Sequence, residues 1–415
     1  MKTTLLRQVT PLFPDSHPKK NPVDVLIRGA KVEAVESSLV VSADEEVNAA
    51  GLFLAPGFFD FSVTVPEPGF EQKETIESAC RAAIKGGVTS FLLMPDGKPC
   101  NDNKGITDWR LQKAARTGVK IIPAGALSKG MEGKELAEMA DLFSAGCRVF
   151  TDNKNRIRNA KLLQLALLYT KPFGGMILHT PGEFSLSQGG VMNESELSAK
   201  LGLRGIPELS EELGITRDLF LAEYCDAPII VGPVSCAGSV EIIRRAKEKG
   251  VKVKAFTSPH YLLLTEDELE QYDSYAKLDP PLRKIKDVEA LKQGLMDGTL
   301  DFIGSDHTPE DAEHKMIEFE HASFGMIGLQ TLFSASRTAL SSAGPEDLIR
   351  WLSINPREAL DIPVPALKAG SACEFVLFSP DEATIPSADE EASLSRNSAL
   401  YGRPLKGKVH RVFVG

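Results

Sequence analysis

The chain has 415 residues, 42% of them hydrophobic and 25% charged, which is enough for one large buried core and more than a single small domain needs. A formal net charge of −10 argues against a nucleic-acid or anionic-membrane partner, because both reward basic patches. No stretch reaches the ~18 apolar residues of a membrane span, the opening MKTTLLRQVTPLFPDS lacks the apolar run of a secretory leader, and the six scattered cysteines form no CxxC pair, so a cytoplasmic protein with reduced thiols is expected.

Residues from about Val23 to Ala55 read as short strands and turns. Eight short apolar runs rich in β-branched or aromatic residues follow: Gly57–Thr64, Val88–Leu93, Val119–Ala124, Cys147–Thr151, Gly175–His179, Ala227–Gly232, Val251–Phe256 and Leu300–Ser305. Helical periodicity fills most of the intervals, as in KETIESACRAAIKGG, SVEIIRRAKEKG and DVEALKQGLMDG. Gly86, Gly87, Gly250 and Gly298 stand where such helices should stop. Strands alternating with helices predict an α/β fold, a TIM-like (α/β)8 barrel over residues 56–362. A doubly wound open sheet would carry a glycine-rich phosphate loop after its first strand, where this chain has PEPGFEQKET. The tail segments GSACEFVLFSPDEATI and GRPLKGKVHRVFVG again read as strands. Neither end can cover its own apolar face, so residues 1–55 and 363–415 are expected to pair as one small discontinuous β-domain. Phe184–Arg217 reads as a long insertion after the fifth strand, on the face where barrel active sites form.

The residues that carry chemistry in such a barrel are polar groups at the C-terminal ends of strands. Ser62, Thr64 and Glu67 follow the first strand, Asp96 the second, Asp152 and Asn153 the fourth, and His179 the fifth. Ser235 follows the sixth strand, Ser258 and His260 the seventh, and Asp306, His307 and Glu310 the eighth. Asp152, His179 and Asp306 are thus expected at one mouth. A lone histidine at a strand end is more often a hydrogen-bonded structural residue, and an aspartate there often caps the next helix. Together the three could supply the ligands of a catalytic zinc, if the geometry closes.

Several segments carry a more specific signal. APGFFDFSVTVPEPGFEQKETIESACRAAIKGGVTSFLLMPDGKP, GGVMNESELSAKLGLRGIP, SCAGSVEIIRRAKEKGVKV, SPHYLLLT, DPPLR and SFGMIGLQT resemble the bacterial dihydroorotases, and the likeness runs from about Val23 to Gly415. The resemblance implies an amidohydrolase in which a metal-bound hydroxide attacks a cyclic amide. Asp152 would be the bridging carboxylate, His179 the ligand of strand five, and Asp306 the aspartate that moves the proton. It also implies departures. The family's HxH pair falls on Ser62 and Thr64, its strand-six histidine on Pro233, and its carboxylate-clamping arginine on Pro66. Two of its asparagines become Asp96 and Asp279, which puts negative charge where an anionic substrate would be held or approached, and a second acidic residue after strand four becomes Asn153. A hydroxyl is a poor zinc ligand beside an imidazole, and a proline side chain offers no donor.

The expectation is therefore a dihydroorotase-like protein of the pyrimidine-biosynthesis lineage that holds none or one zinc and is non-catalytic. It would be a structural or regulatory partner of aspartate transcarbamoylase, with a homodimer also open and no nucleic-acid or membrane partner. Two alternatives remain open from the sequence. One is an active dihydroorotase interconverting dihydroorotate and N-carbamoyl-aspartate with a reduced metal site. The other is an amidohydrolase acting on another cyclic amide, such as a hydantoin.

Overall fold

A computed structural model describes residues 2–14 and 21–415, so His17 lies outside the described residues. The eight expected strands are all present, as Phe58–Val63, Val88–Leu93, Lys120–Pro123, Val149–Phe150, Met176–His179, Ile229–Val231, Val253–Thr257 and Phe302–Ile303. The first three pair in parallel, and so do the last five. Isolated parallel bridges from Gly125 to Phe150 and from Val63 to His307 join the two ladders into a closed barrel. Parallel neighbours need crossovers, and helices supply them. The first, Ile76–Lys85, starts on a capping box between Thr75 and Ser78 and stops at Gly86.

Side chains alternate across each strand. Phe59 and Phe61 therefore turn into the barrel, where they meet Leu92, Ile230, Phe256 and Phe302. The Phe61 and Phe302 rings lie 4.4 Å apart, and Phe256 stacks on Phe302 at 5.7 Å. Each ring buried this way contributes roughly 2 kcal/mol. The packed interior leaves the strand C-terminal rim as the place for chemistry. Gly232, at the end of the sixth strand with φ +149°, is required there, since a Cβ would come within 2.6 Å of the Phe256 carbonyl oxygen.

Strands from both chain ends share one sheet, in the order Leu405–Val414, Glu374–Thr384, Phe53–Pro56, Thr3–Pro11, Val23–Arg28 and Lys31–Glu36, with Glu45–Asn48 also on Thr3–Pro11. The sequence reading began its strands near Val23 and missed Thr3–Pro11, whose TTLLRQVTP is bulged between Leu6 and Val9 and so breaks the simple alternation. The buried guanidinium of Arg357 ties sheet to barrel, donating to the Gly57 carbonyl at 2.8 Å and to Glu374 at 2.7 Å. The insertion after the fifth strand is shorter than expected. It holds the short helices Phe184–Ser187 and Glu196–Leu201, and the crossover helix already begins at Glu208 and runs through Arg217 to Cys225. No helix among the described residues is long and apolar enough to cross a membrane.

Candidate functional site

Asp306 ends the eighth-strand segment with φ +53°, and Asn153 follows the fourth strand with φ +49°. Both are non-glycine residues in the left-handed region, which is uncommon and concentrates at sites where side-chain direction matters. Asp306 is 4% exposed, and its Oδ1 accepts from the Lys154 ammonium at 2.7 Å. The same ammonium donates to the Asp279 carbonyl, also at 2.7 Å. Ser62 Oγ stands 3.5 Å from Asp306 Oδ1, and Tyr261 OH donates to Oδ2 at 3.3 Å. Burial raises the Asp306 carboxyl, and Lys154 opposes that rise. Lys154 was not singled out in the sequence, although a lysine two residues beyond Asp152 in VFTDNKN places a cation at a strand end.

Both retained ligand candidates of the fourth and fifth strands are fully engaged by protein. His179 Nε2 accepts the Ile157 backbone N–H at 3.0 Å, so its proton sits on Nδ1, which faces Asp218 Oδ2 at 2.5 Å. Arg217 holds the other Asp218 oxygen at 2.8 and 2.9 Å. Asp152 Oδ1 accepts from the backbone of Leu127 and Ser128, each at 2.9 Å, and Oδ2 accepts from the Ser128 hydroxyl. Burial raises the Asp152 carboxyl, against these hydrogen bonds. Asp218 escaped the sequence reading too. Its signal is a carboxylate on the buried face of the helix Glu208–Cys225, shared with Glu211.

The altered substrate positions are built into the same mesh. Asn153 Nδ2 donates to Thr64 Oγ1 at 3.1 Å and to Asp96 Oδ2 at 2.7 Å. Burial raises the Asp96 carboxyl, and Asn153 works against it. Asp279 was expected to present negative charge to an incoming anion, but Arg156 grips both its oxygens, at 2.9 and 2.5 Å. Burial alone would raise that carboxyl, and Arg156 with Lys154 and Arg283 more than offsets it, so it sits below the ordinary range. Pro66 and Pro233 are buried and bring no donor. Beside Pro233, Glu211 accepts the Ser235 and Cys236 backbone N–H groups at 2.9 and 3.3 Å, and Arg283 reaches the Ser235 hydroxyl at 3.2 Å.

A zinc ion needs at least three free donors around an open position. In this arrangement both His179 nitrogens have protein partners, Asp152 Oδ1 accepts two backbone N–H groups and Oδ2 the Ser128 hydroxyl, and Lys154 brings a positive charge against Asp306. Ser62 and Thr64 are hydroxyls turned to Asp306 and Asn153. Among the described residues no three His, Cys, Asp or Glu side chains are grouped to hold a metal.

Among the described residues, the other histidines make no side-chain hydrogen bond within this mesh. His260 is buried with neither nitrogen hydrogen-bonded among the described residues, and burial lowers it to about 3. His307 Nδ1 accepts the Gly328 N–H at 3.2 Å, and His314 pairs with Asp311. The loop after the eighth strand is pinned by two buried lysines instead. Lys315 donates to the Ser323 and Gly325 carbonyls at 2.8 and 3.0 Å, and Lys277 to those of Phe319 and Glu320 at 2.7 and 3.1 Å. Burial lowers Lys315 to about 7 and Lys277 to about 8. Unfolded lysines keep their protons to about pH 10, so the unfolded chain binds more protons across the window between. Stability is therefore expected to rise with pH there, by up to about 1.4 kcal/mol per pH unit for each lysine. Urea melts of the chain and of Lys315→Met across that window check this, the variant having the shallower rise.

A closed parallel barrel, a β-domain built from both chain ends and carboxylates with an imidazole at the strand C-terminal rim define an amidohydrolase-type TIM barrel. The solved L-hydantoinase (dihydropyrimidinase) from Arthrobacter aurescens shares this fold at a TM-score of 0.86, covering 99% of this chain and 94% of that one at 22% identity. A family model described as Dihydro-orotase-like matches residues 51–236. The dihydroorotases of Syntrophotalea carbinolica and Geotalea daltonii are each 39% identical over 389 residues, covering 93% of this chain and 92% of theirs. The chain belongs to the dihydroorotase family.

Proposed function

We propose that this chain is a non-catalytic dihydroorotase homologue whose barrel mouth is closed by its own side chains, and that it serves as a structural or regulatory partner in pyrimidine biosynthesis. The observation that carries the reading is the Lys154 ammonium, 2.7 Å from Asp306 and 2.7 Å from the Asp279 carbonyl. Family chemistry asks Asp306 to exchange a proton beside a metal-bound hydroxide. A fixed ammonium at that oxygen takes the place of such a metal without offering a nucleophile. The losses at Ser62, Thr64 and Pro233 and the capped nitrogen of His179 support the same reading. The candidate partner is aspartate transcarbamoylase, as the resemblance implies.

Purified chain supplied with zinc is expected to retain less than one equivalent after desalting and to leave dihydroorotate unhydrolysed above the buffer rate. Stoichiometric zinc together with turnover that Asp306→Ala abolishes is the result that sinks the proposal. Co-elution of the chain with purified aspartate transcarbamoylase on a sizing column tests the partner separately.

A further inference from the structure

The first two crossover helices, Ile76–Lys85 and Lys104–Ala114, lie side by side on the outside of the barrel and leave a groove of about 790 Å³ between them. That volume falls within the range of small-molecule sites. Glu77, Cys80, Arg81 and Ile84 line it from the first helix. Trp109, Gln112 and Lys113, with Arg116 just past the end of the second helix, repeat the same i, i+3, i+4, i+7 spacing from the other side. Each helix thus gives the groove one whole stripe. Its floor is Cys80, 1% exposed, and the Glu67 carboxylate, 5% exposed. Glu67 accepts the Ile76 N–H at 2.7 Å and the Lys113 ammonium at 3.1 Å. The same ammonium lies 5.3 Å from the centre of the half-buried Trp109 ring.

We propose that this groove binds a small anion carrying a planar ring, of the chemical class of a nucleoside monophosphate, with the ring against Trp109 and the phosphate on Arg116 and Arg81. Three cations line the groove against two carboxylates, in a chain whose net charge is −10, so the local sign is opposite to the global one. Both carboxylates are already engaged, Glu67 as above and Glu77 by Arg81 Nη1 at 3.0 Å. That contact leaves Nε and Nη2 of Arg81 unclaimed, and Arg116 has no hydrogen bond or ion pair among the described residues. A guanidinium offers paired donors that match phosphate oxygens. An indole beside such cations supplies the face on which a base stacks. A patch of surface charge alone would need neither the indole nor the depth that reaches Glu67.

Adenosine 5′-monophosphate and uridine 5′-monophosphate are the probes. Each is expected to bind the full chain saturably, with Kd below about 1 mM, and to quench tryptophan fluorescence. The quench reports on Trp109, because the other tryptophan, Trp351, is 5% exposed in the core. Arg116→Glu should weaken binding at least about 10-fold while the thermal midpoint stays within a degree or two. In calorimetric titrations Trp109→Leu should weaken it at least about 5-fold, and inorganic phosphate should bind the unaltered chain more weakly than either nucleotide by at least about the same factor. No saturable binding of either nucleotide, binding indifferent to Arg116→Glu or to Trp109→Leu, or inorganic phosphate held as tightly as the nucleotides would each overturn the assignment. None of these readouts depends on whether the barrel mouth holds a metal or turns over dihydroorotate.

Discussion

Lys154→Met is expected to destabilise the fold by about 3 kcal/mol, the scale for leaving one member of a buried ion pair unpaired. Lys154 is 23% exposed and Asp306 only 4%, so the carboxylate bears most of the loss. The converse variant, Asp306→Asn, leaves an ammonium that can turn toward water and still reach the Asp279 carbonyl, and should cost about 1 kcal/mol. Combining the two should recover most of the first loss, with a coupling of at least about 1 kcal/mol in a double-mutant cycle. Urea denaturation of the four proteins measures all three quantities. Additive losses would mean that the 2.7 Å contact carries no interaction of its own.

His179→Ala is expected to cost a similar amount, about 3 kcal/mol, for a different reason. The imidazole links the Ile157 N–H to Asp218 in a fully buried chain of hydrogen bonds, and its removal strands a donor and an acceptor as well as opening a cavity. A metal ligand would show its loss in metal content. Here the loss should be in stability alone, with zinc retention after desalting the same as for the unaltered chain. A variant of normal stability that retains less zinc than its parent would return His179 to ligand status.

The barrel was legible because strands buried on both faces give short β-branched and aromatic runs such as VTSFLL and FFDFSV, and because glycines mark the helix ends between them. Asp152, His179 and Asp306 were legible as polar residues at the ends of those runs. Their partners were not. Lys154 and Arg156 lie in an irregular loop, and what they bind is Asp306 and Asp279, more than a hundred residues away. No local pattern encodes such a pairing. Asp218 and Glu211 sit in a helix that reads as an ordinary crossover, and only their place on its buried face shows that each serves a strand end. The charge expected at Asp279 illustrates the limit: a carboxylate seen alone in sequence is an anion, but seen with Arg156 it is half of a neutral pair.

The ammonium at Asp306 arrives with the polypeptide. A mouth that depends on a bound ion for its counter-charge depends on supply, and changes when the ion is scarce or chelated. Because Lys154 is covalently part of the loop beyond the fourth strand, its charge is present as soon as the barrel closes. On the proposed reading, the order it imposes on that rim is inherited from translation and needs no ion from the cell.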